Sequence, residues 1–178
     1  MSAVPGHAEA MPRLGDDPRA YIAGDRRRAL ATGRTISDRV TGAALFADIS
    51  GFTPLTEALT NELGPLRGAE ELVANLNRML AAIIEDLHRF GGEVIYFSGD
   101  AITCWIDGDD GTRATACALR MQQTMDEVGV VRTEGGAHVD LRLKAAVAVG
   151  RARRFVVGDP ELQLIDVLAG SLIDDLAA

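Results

Sequence analysis

Two aspartates at the ends of apolar runs carry the chemistry that this sequence can offer. Asp48 interrupts Ala-Ala-Leu-Phe-Ala-Asp-Ile-Ser-Gly-Phe (43–52), and Asp100 lies in the Gly99-Asp100 pair between two β-prone runs, Glu93 to Ser98 and Ala101 to Ile106. An isolated carboxylate in an apolar run is costly to bury unless a cation meets it. Thr53 and Pro54 follow as N-cap and first helical residue, so the spacing predicts a helix N-terminus with unpaired N–H groups just beyond Asp48. Acid and helix start together suit a metal and a phosphate. Two carboxylates on neighbouring strand ends are the donors that a two-metal phosphoryl or nucleotidyl transfer site needs. Mg²⁺ takes one or two protein carboxylates and leaves the rest of its octahedron to substrate phosphates and water. Taken singly, the plain alternatives are a strand-end Asp turned to solvent and a Gly-Asp turn; the two acids together favour metal.

Such a pair needs a scaffold that brings positions 48 and 100 together. After the Asp48 strand, the pattern predicts a helix over 54–63 stopped by Gly64-Pro65. A longer helix follows from about Ala69 to Phe90, with Leu72, Leu76, Met79, Ile83, Leu87 and Phe90 on one stripe. Gly91-Gly92 ends it, and the Gly99-Asp100 pair makes a tight hairpin of the next two strands. A helix over 112–128, a strand over 139–149, a basic turn at Arg151–Arg154, a strand over 162–168 and a helix opening at Ser171 complete the order. Collapsing the paired helices gives βαββαβ, an α+β, ferredoxin-like core with a mostly antiparallel sheet and helices on one face. In that topology the first strand is central and lies beside the hairpin, so Asp48 and Asp100 converge. Upstream, residues 1–39 form an N-terminal extension, loose and rich in Gly, Pro and Ala to about Asp17. Its Arg26–Arg28 run reads as a solvated helix face.

The 178 residues suffice for one well-buried core. A formal net charge of -8 argues against a nucleic-acid or anionic-membrane surface, so phosphate would be met through metal and backbone. Cys104 and Cys117 have no metal-ligand or redox spacing and read as core residues of a reduced, cytoplasmic protein. No apolar run approaches the roughly 18 residues of a membrane span.

The segments Phe46-Ala47-Asp48-Ile49-Ser50-Gly51-Phe52 and Gly91-Gly92-Glu93-Val94-Ile95-Tyr96-Phe97-Ser98-Gly99-Asp100, in this order and at this distance, resemble the class III adenylate and guanylate cyclases. The likeness runs from about Gly42 to the end and is strongest to the first cyclase domain of soluble-type bacterial cyclases that carry a second such domain downstream. It implies a cyclase homology domain over 40–178, incomplete at its C-terminal end, in which Asp48 and Asp100, helped by the Ile49 carbonyl, hold two Mg²⁺ or Mn²⁺ ions. Ser50, Gly51, Phe52 and Thr53 would cradle the triphosphate of ATP. The implied reaction converts ATP to cyclic AMP and pyrophosphate by attack of the ribose 3′-hydroxyl on the α-phosphate.

Departures from the family pattern are equally definite. The base-reading Lys position is Tyr96, and the second base-reading position falls on Val167, with Asp166 adjacent. The transition-state Asn and Arg positions, counted from Gly170, fall on Asp174 and Ala178, and neither side chain can stabilise charge developing on phosphate. The metal-donating half is therefore expected here. The complementary half is expected from a second cyclase domain, in trans or downstream, with no nucleic-acid or membrane partner. The alternative is a catalytically inactive cyclase-homology module with a regulatory or nucleotide-binding role. A phosphoacceptor domain, with Asp48 as the acceptor, would need parallel βα units that the hairpin does not accommodate, and the Gly91–Ile95 segment lacks the acidic-Phe continuation of diguanylate cyclases.

Overall fold

Strand β1, Arg39–Ser50, is apolar on both sides because both sides are covered. Ala43, Leu45, Ala47 and Ile49 enter the main core, while Ala44 and Val40 alternate into a smaller cluster on the opposite face. The structure, a computed structural model, describes residues 22–176; the tail expected up to Asp17 and the last two residues lie outside them. Along the chain follow α1 (Gly24–Ala31), β1, α2 (Phe52–Leu63), α3 (Pro65–Arg89), β2 (Glu93–Ser98), β3 (Ala101–Asp107) and α4 (Thr112–Val128). Then come β4 (Val130–Arg132), β5 (His138–Asp140), β6 (Arg142–Asp159), β7 (Gln163–Ala169) and α5 (Ser171–Leu176).

The main sheet has the order β2-β3-β1-β6-β7, every neighbouring pair antiparallel, with β4 and β5 forming a separate ribbon. This is the expected βαββαβ core with β1 at its centre, extended by the β6–β7 hairpin. The expected helical layer is α2, α3 and α4. The predicted stripe of α3 is its packing face: Met79, Ile83 and Leu87 are fully buried, and Leu72, Leu76 and Phe90 pack against the same core. Burying each such side chain contributes about 1.5–3 kcal/mol. Asp86 joins the two long helices, since its carboxylate accepts from Thr124 Oγ1 at 2.5 Å and pairs with Arg89 and Arg120. The short helices α1 and α5 add a partial layer on the other face, over Ala44, Trp105, Ala148 and Leu168. Burial pushes the Cys117 thiol up to about 12 and the Cys104 thiol well above its usual range, so both stay protonated core groups.

Local expectations change in five places. Helix α2 begins at Phe52 behind Gly51 rather than at Pro54 behind Thr53, because Gly51, at φ 103°, takes the left-handed backbone that turns the chain straight out of β1. Helix α3 begins at Pro65, not Ala69; Pro at N1 is pre-set for helix. The single strand expected over 139–149 is split into β5 and the start of β6. The Arg151–Arg154 turn is strand, the middle of the 18-residue β6, because alternation lets Arg151 and Arg153 project while Arg154 is buried. Arg26, expected on a solvated helix face, is buried because two acids neutralise its surroundings.

Gly42 marks the tightest point of the β1–β3 pairing. A Cβ there would lie 2.4 Å from the Ile106 carbonyl oxygen and 2.7 Å from the Trp105 ring. Backbone cannot yield as a flexible side chain can, so Gly42→Ala is expected to destabilise the domain by about 1–3 kcal/mol in urea unfolding. An unchanged midpoint would contradict this account of the pairing.

Candidate active site

Asp48 and Asp100 meet because of register. Asp48 lies opposite Ala101 of β3. Asp100, in the β2–β3 turn, is the next residue back, and its carbonyl accepts from the Ile49 N–H at 3.3 Å. Gly99, at φ 66°, supplies the left-handed turn residue. Both aspartates are half-buried. Neither carboxylate is held by a hydrogen bond or salt bridge to a described residue, so their oxygens are open to a hard divalent cation. Among the described residues no group of three or more His, Cys, Asp or Glu side chains converges, and the donors on offer are this pair and local carbonyls.

Alternation shows which neighbours share the Asp48 side of the sheet. Ser98, Ala101, Asp48 and Lys144 stand in one row across four strands. The next row on that side is Tyr96, Thr103, Phe46 and Ala146. A cavity of about 200 Å³ opens there between Phe46, Tyr96, Thr103 and the α5 residues Ile173 and Leu176. A register shift between Val94 and Tyr96 aims Tyr96 into this row, with 43% of its surface exposed. Lys144 is the chain's one lysine and is exposed directly across from Asp48. It escapes sequence reading because its alternating strand gives the basic side chain a plain solvent-facing place, and only the β1–β6 register brings it opposite the acid.

The predicted phosphate cradle lies where β1 becomes α2. Ser50 Oγ donates to the Arg142 carbonyl at 3.4 Å. Gly51 is the N-cap residue, and a Cβ there would approach the Asp140 carbonyl at 3.2 Å. Phe52 is half-buried, Thr53 is exposed, and no side chain caps the helix. The first-turn N–H groups of Phe52, Thr53 and Leu55 therefore have no capping side chain as partner, Pro54 having no N–H to offer.

The remaining family positions are scattered. Val167 pairs with Phe155 and alternates away from the Asp48 side of the sheet. Asp166 is on the right side but is sealed under α1 at 1% exposure. It accepts from Arg154 Nη2 at 2.6 Å and Arg26 Nε at 3.1 Å, while Arg154 Nη1 donates to Asp25 at 2.7 Å. Burial alone would lower the Arg154 pKa, but the two carboxylates outweigh it and hold the guanidinium charged. This network fastens α1 to the β6–β7 hairpin, and Asp166 has no exposed oxygen with which to read a base. Asp174 is exposed on α5 and Ala178 lies outside the described residues.

This sheet order, with carboxylates at the β1 end and the β2–β3 turn, is the architecture of nucleotidyl cyclase domains. A bacterial light-regulated adenylyl cyclase superposes with a TM-score of 0.69 at 20% identity, covering 88% of this chain and 45% of that one. The guanylyl cyclase Cya2 superposes with a TM-score of 0.61 at 24% identity, covering 80% and 70%. In sequence, human adenylate cyclase type 10 is 31% identical over 144 residues, 80% of this chain and 9% of that protein. No protein-family model matches the chain. Fold and sequence likeness together place it in the class III cyclases: it carries a cyclase-type domain and spans about a tenth of the length of the first curated relatives it matches. No helix among the described residues is long and apolar enough to cross a membrane.

The α1 clamp has a definite pH dependence. Burial raises the Asp25 pKa, but the Arg154 bonds and charge, with help from Arg26, bring it below its ordinary 3.8. A depressed folded-state pKa stabilises above the unfolded value and ceases to do so as pH falls through the folded one. The stability difference between wild type and Asp25→Asn is thus expected to be full above pH 3.8 and to shrink below it. Thermal unfolding across that range checks this; a difference that grows on acidification would contradict it.

Proposed function

We propose that this domain is the metal-donating half of an adenylate cyclase that converts ATP to cyclic AMP and pyrophosphate. The observation that carries the reading is the pair of unengaged carboxylates, Asp48 and Asp100, fixed side by side by the β1–β3 register at the mouth of an uncapped helix. Divalent cations such as Mg²⁺ or Mn²⁺, held by these oxygens with the Ile49 carbonyl, would supply Lewis-acid activation of the attacking hydroxyl and neutralise the leaving group. The chain's own groups also meet the triphosphate. The Ser50–Thr53 segment offers backbone N–H groups to the triphosphate. Lys144, across from Asp48, offsets triphosphate charge as a mobile point cation. The 3′-hydroxyl oxygen of the ribose bonds to the α-phosphorus, its proton departs, and the bond to the β-phosphate bridging oxygen breaks to release pyrophosphate.

The base-reading and transition-state groups come from a second cyclase domain, because Tyr96 and Asp174 have no cation to give. A homodimer would repeat the same half twice. ATP is assigned over GTP through likeness to adenylate cyclases, since the base would be read by the partner. The exposed acid at Asp174 favours a second reading, an inactive regulatory module. The two readings differ in one experiment. This domain, mixed with a complementary cyclase domain in Mn²⁺ and ATP, is expected to yield cyclic AMP. Asp48→Ala or Asp100→Ala should abolish turnover without altering assembly. No product from a complex shown to have formed would select the inactive module.

Lys144→Gln is expected to lower kcat/KM by about tenfold or more, the scale of one hydrogen bond to a charged group, while metal affinity holds. Unchanged kinetics would remove Lys144 from the site.

A further inference from the structure

At the opposite end of β1, three arginines face one another with no salt-bridge partner among the described residues. Arg39 lies directly opposite Arg153, and Thr41 lies opposite Arg151, so alternation puts all three guanidinium stems on one side of the β1–β6 pair. That is the side of Ala43 and Leu45, but the helical layer ends near Gly111, which approaches Val149, and the arginines continue past it. All three are exposed, and none forms a salt bridge with a described residue. Ala169, across from Arg153 on the third strand, leaves the space open. With Gly170 and Ser171 these residues wall a cleft of about 510 Å³.

Like charges directly opposite across a strand pair repel, and a chain with 26 acidic and 18 basic residues has ample means to neutralise them. A cluster that no described acid compensates is poised for an anion from outside. Guanidinium forks match phosphate oxygens bidentately. Opposed positions sit about 5 Å apart and alternate positions along a strand about 7 Å apart, spacings that suit two linked phosphoryl groups better than one. Nine residue steps along β1 separate Arg39 from Asp48, about 30 Å of strand, so this is not the end of the sheet that would hold substrate.

We propose that the Arg39–Arg151–Arg153 cleft is a binding site for a soluble oligophosphate, separate from the carboxylate pair and independent of the cyclase reading. The test is calorimetric titration of the whole chain with pyrophosphate in EDTA, where no divalent cation can recruit the anion to Asp48 and Asp100. Saturable binding is expected, tighter for pyrophosphate than for orthophosphate and weakening with added salt. Arg39→Gln or Arg153→Gln should weaken it by about tenfold or more, whereas Asp48→Asn should leave it unchanged. Without ligand, either Gln variant should unfold at or above the wild-type temperature, since a repulsion has been relieved, and should lose the pyrophosphate-induced rise in Tm. Arg39, exposed at the start of β1, keeps the test valid if the Arg153 variant does not fold. No saturation by about 10 mM, a regime weaker than millimolar affinity, would overturn the proposal, as would binding indifferent to both Gln variants. So would capture by vesicles containing phosphatidylinositol bisphosphate in place of pyrophosphate.

Discussion

The antiparallel register between β1 and β3 is the constraint on which the rest of the domain depends. Asp48 opposite Ala101, with the Ile49 N–H on the Asp100 carbonyl, brings two distant acids to one end of the sheet. The register cannot slip by one residue, because that would carry Leu45 and Ile49 out of the main core and swing Asp48 into it. Pairing with β6 on the other side of β1 fixes the strand a second time. The site therefore inherits its geometry from core packing, the most rigid part of the molecule.

The two sides of the sheet divide the labour. The side under α2, α3 and α4 holds the large apolar core and supplies stability. The other side, only partly covered by α1 and α5, keeps Asp48, Lys144, Phe46 and Tyr96 within reach of solvent. On that side α1 is fastened by Asp25, Arg26, Arg154 and Asp166, a buried network whose members would be costly singly and are tolerable only together. Asp166, next to the expected base-reading position Val167, is thereby given over to holding a helix.

Much of this was legible in the sequence where the signal is local. The α3 stripe, the Gly99-Asp100 hairpin and the apolar run around Asp48 each carry their own periodicity or turn chemistry, and together they imply the βαββαβ order and the meeting of the two acids. What could not be read depends on pairing between distant segments. Arg154 looks like part of a basic turn until Asp25, far upstream, is seen to neutralise it. Lys144 looks like an ordinary solvent-facing residue until β6 is set beside β1. The Thr53 cap failed for a different reason: Gly51 competes for the same role and wins through its left-handed backbone.

The central claim is that Asp48 and Asp100 act as one ligand set. The most direct measurement is anomalous diffraction at the manganese edge from crystals of this domain assembled with a complementary cyclase domain, Mn²⁺ and an ATP analogue whose α–β bridging oxygen is replaced by methylene. The account predicts manganese peaks in contact with both carboxylates and with the phosphates of the analogue. Manganese bound to one aspartate alone, or to neither, would contradict it.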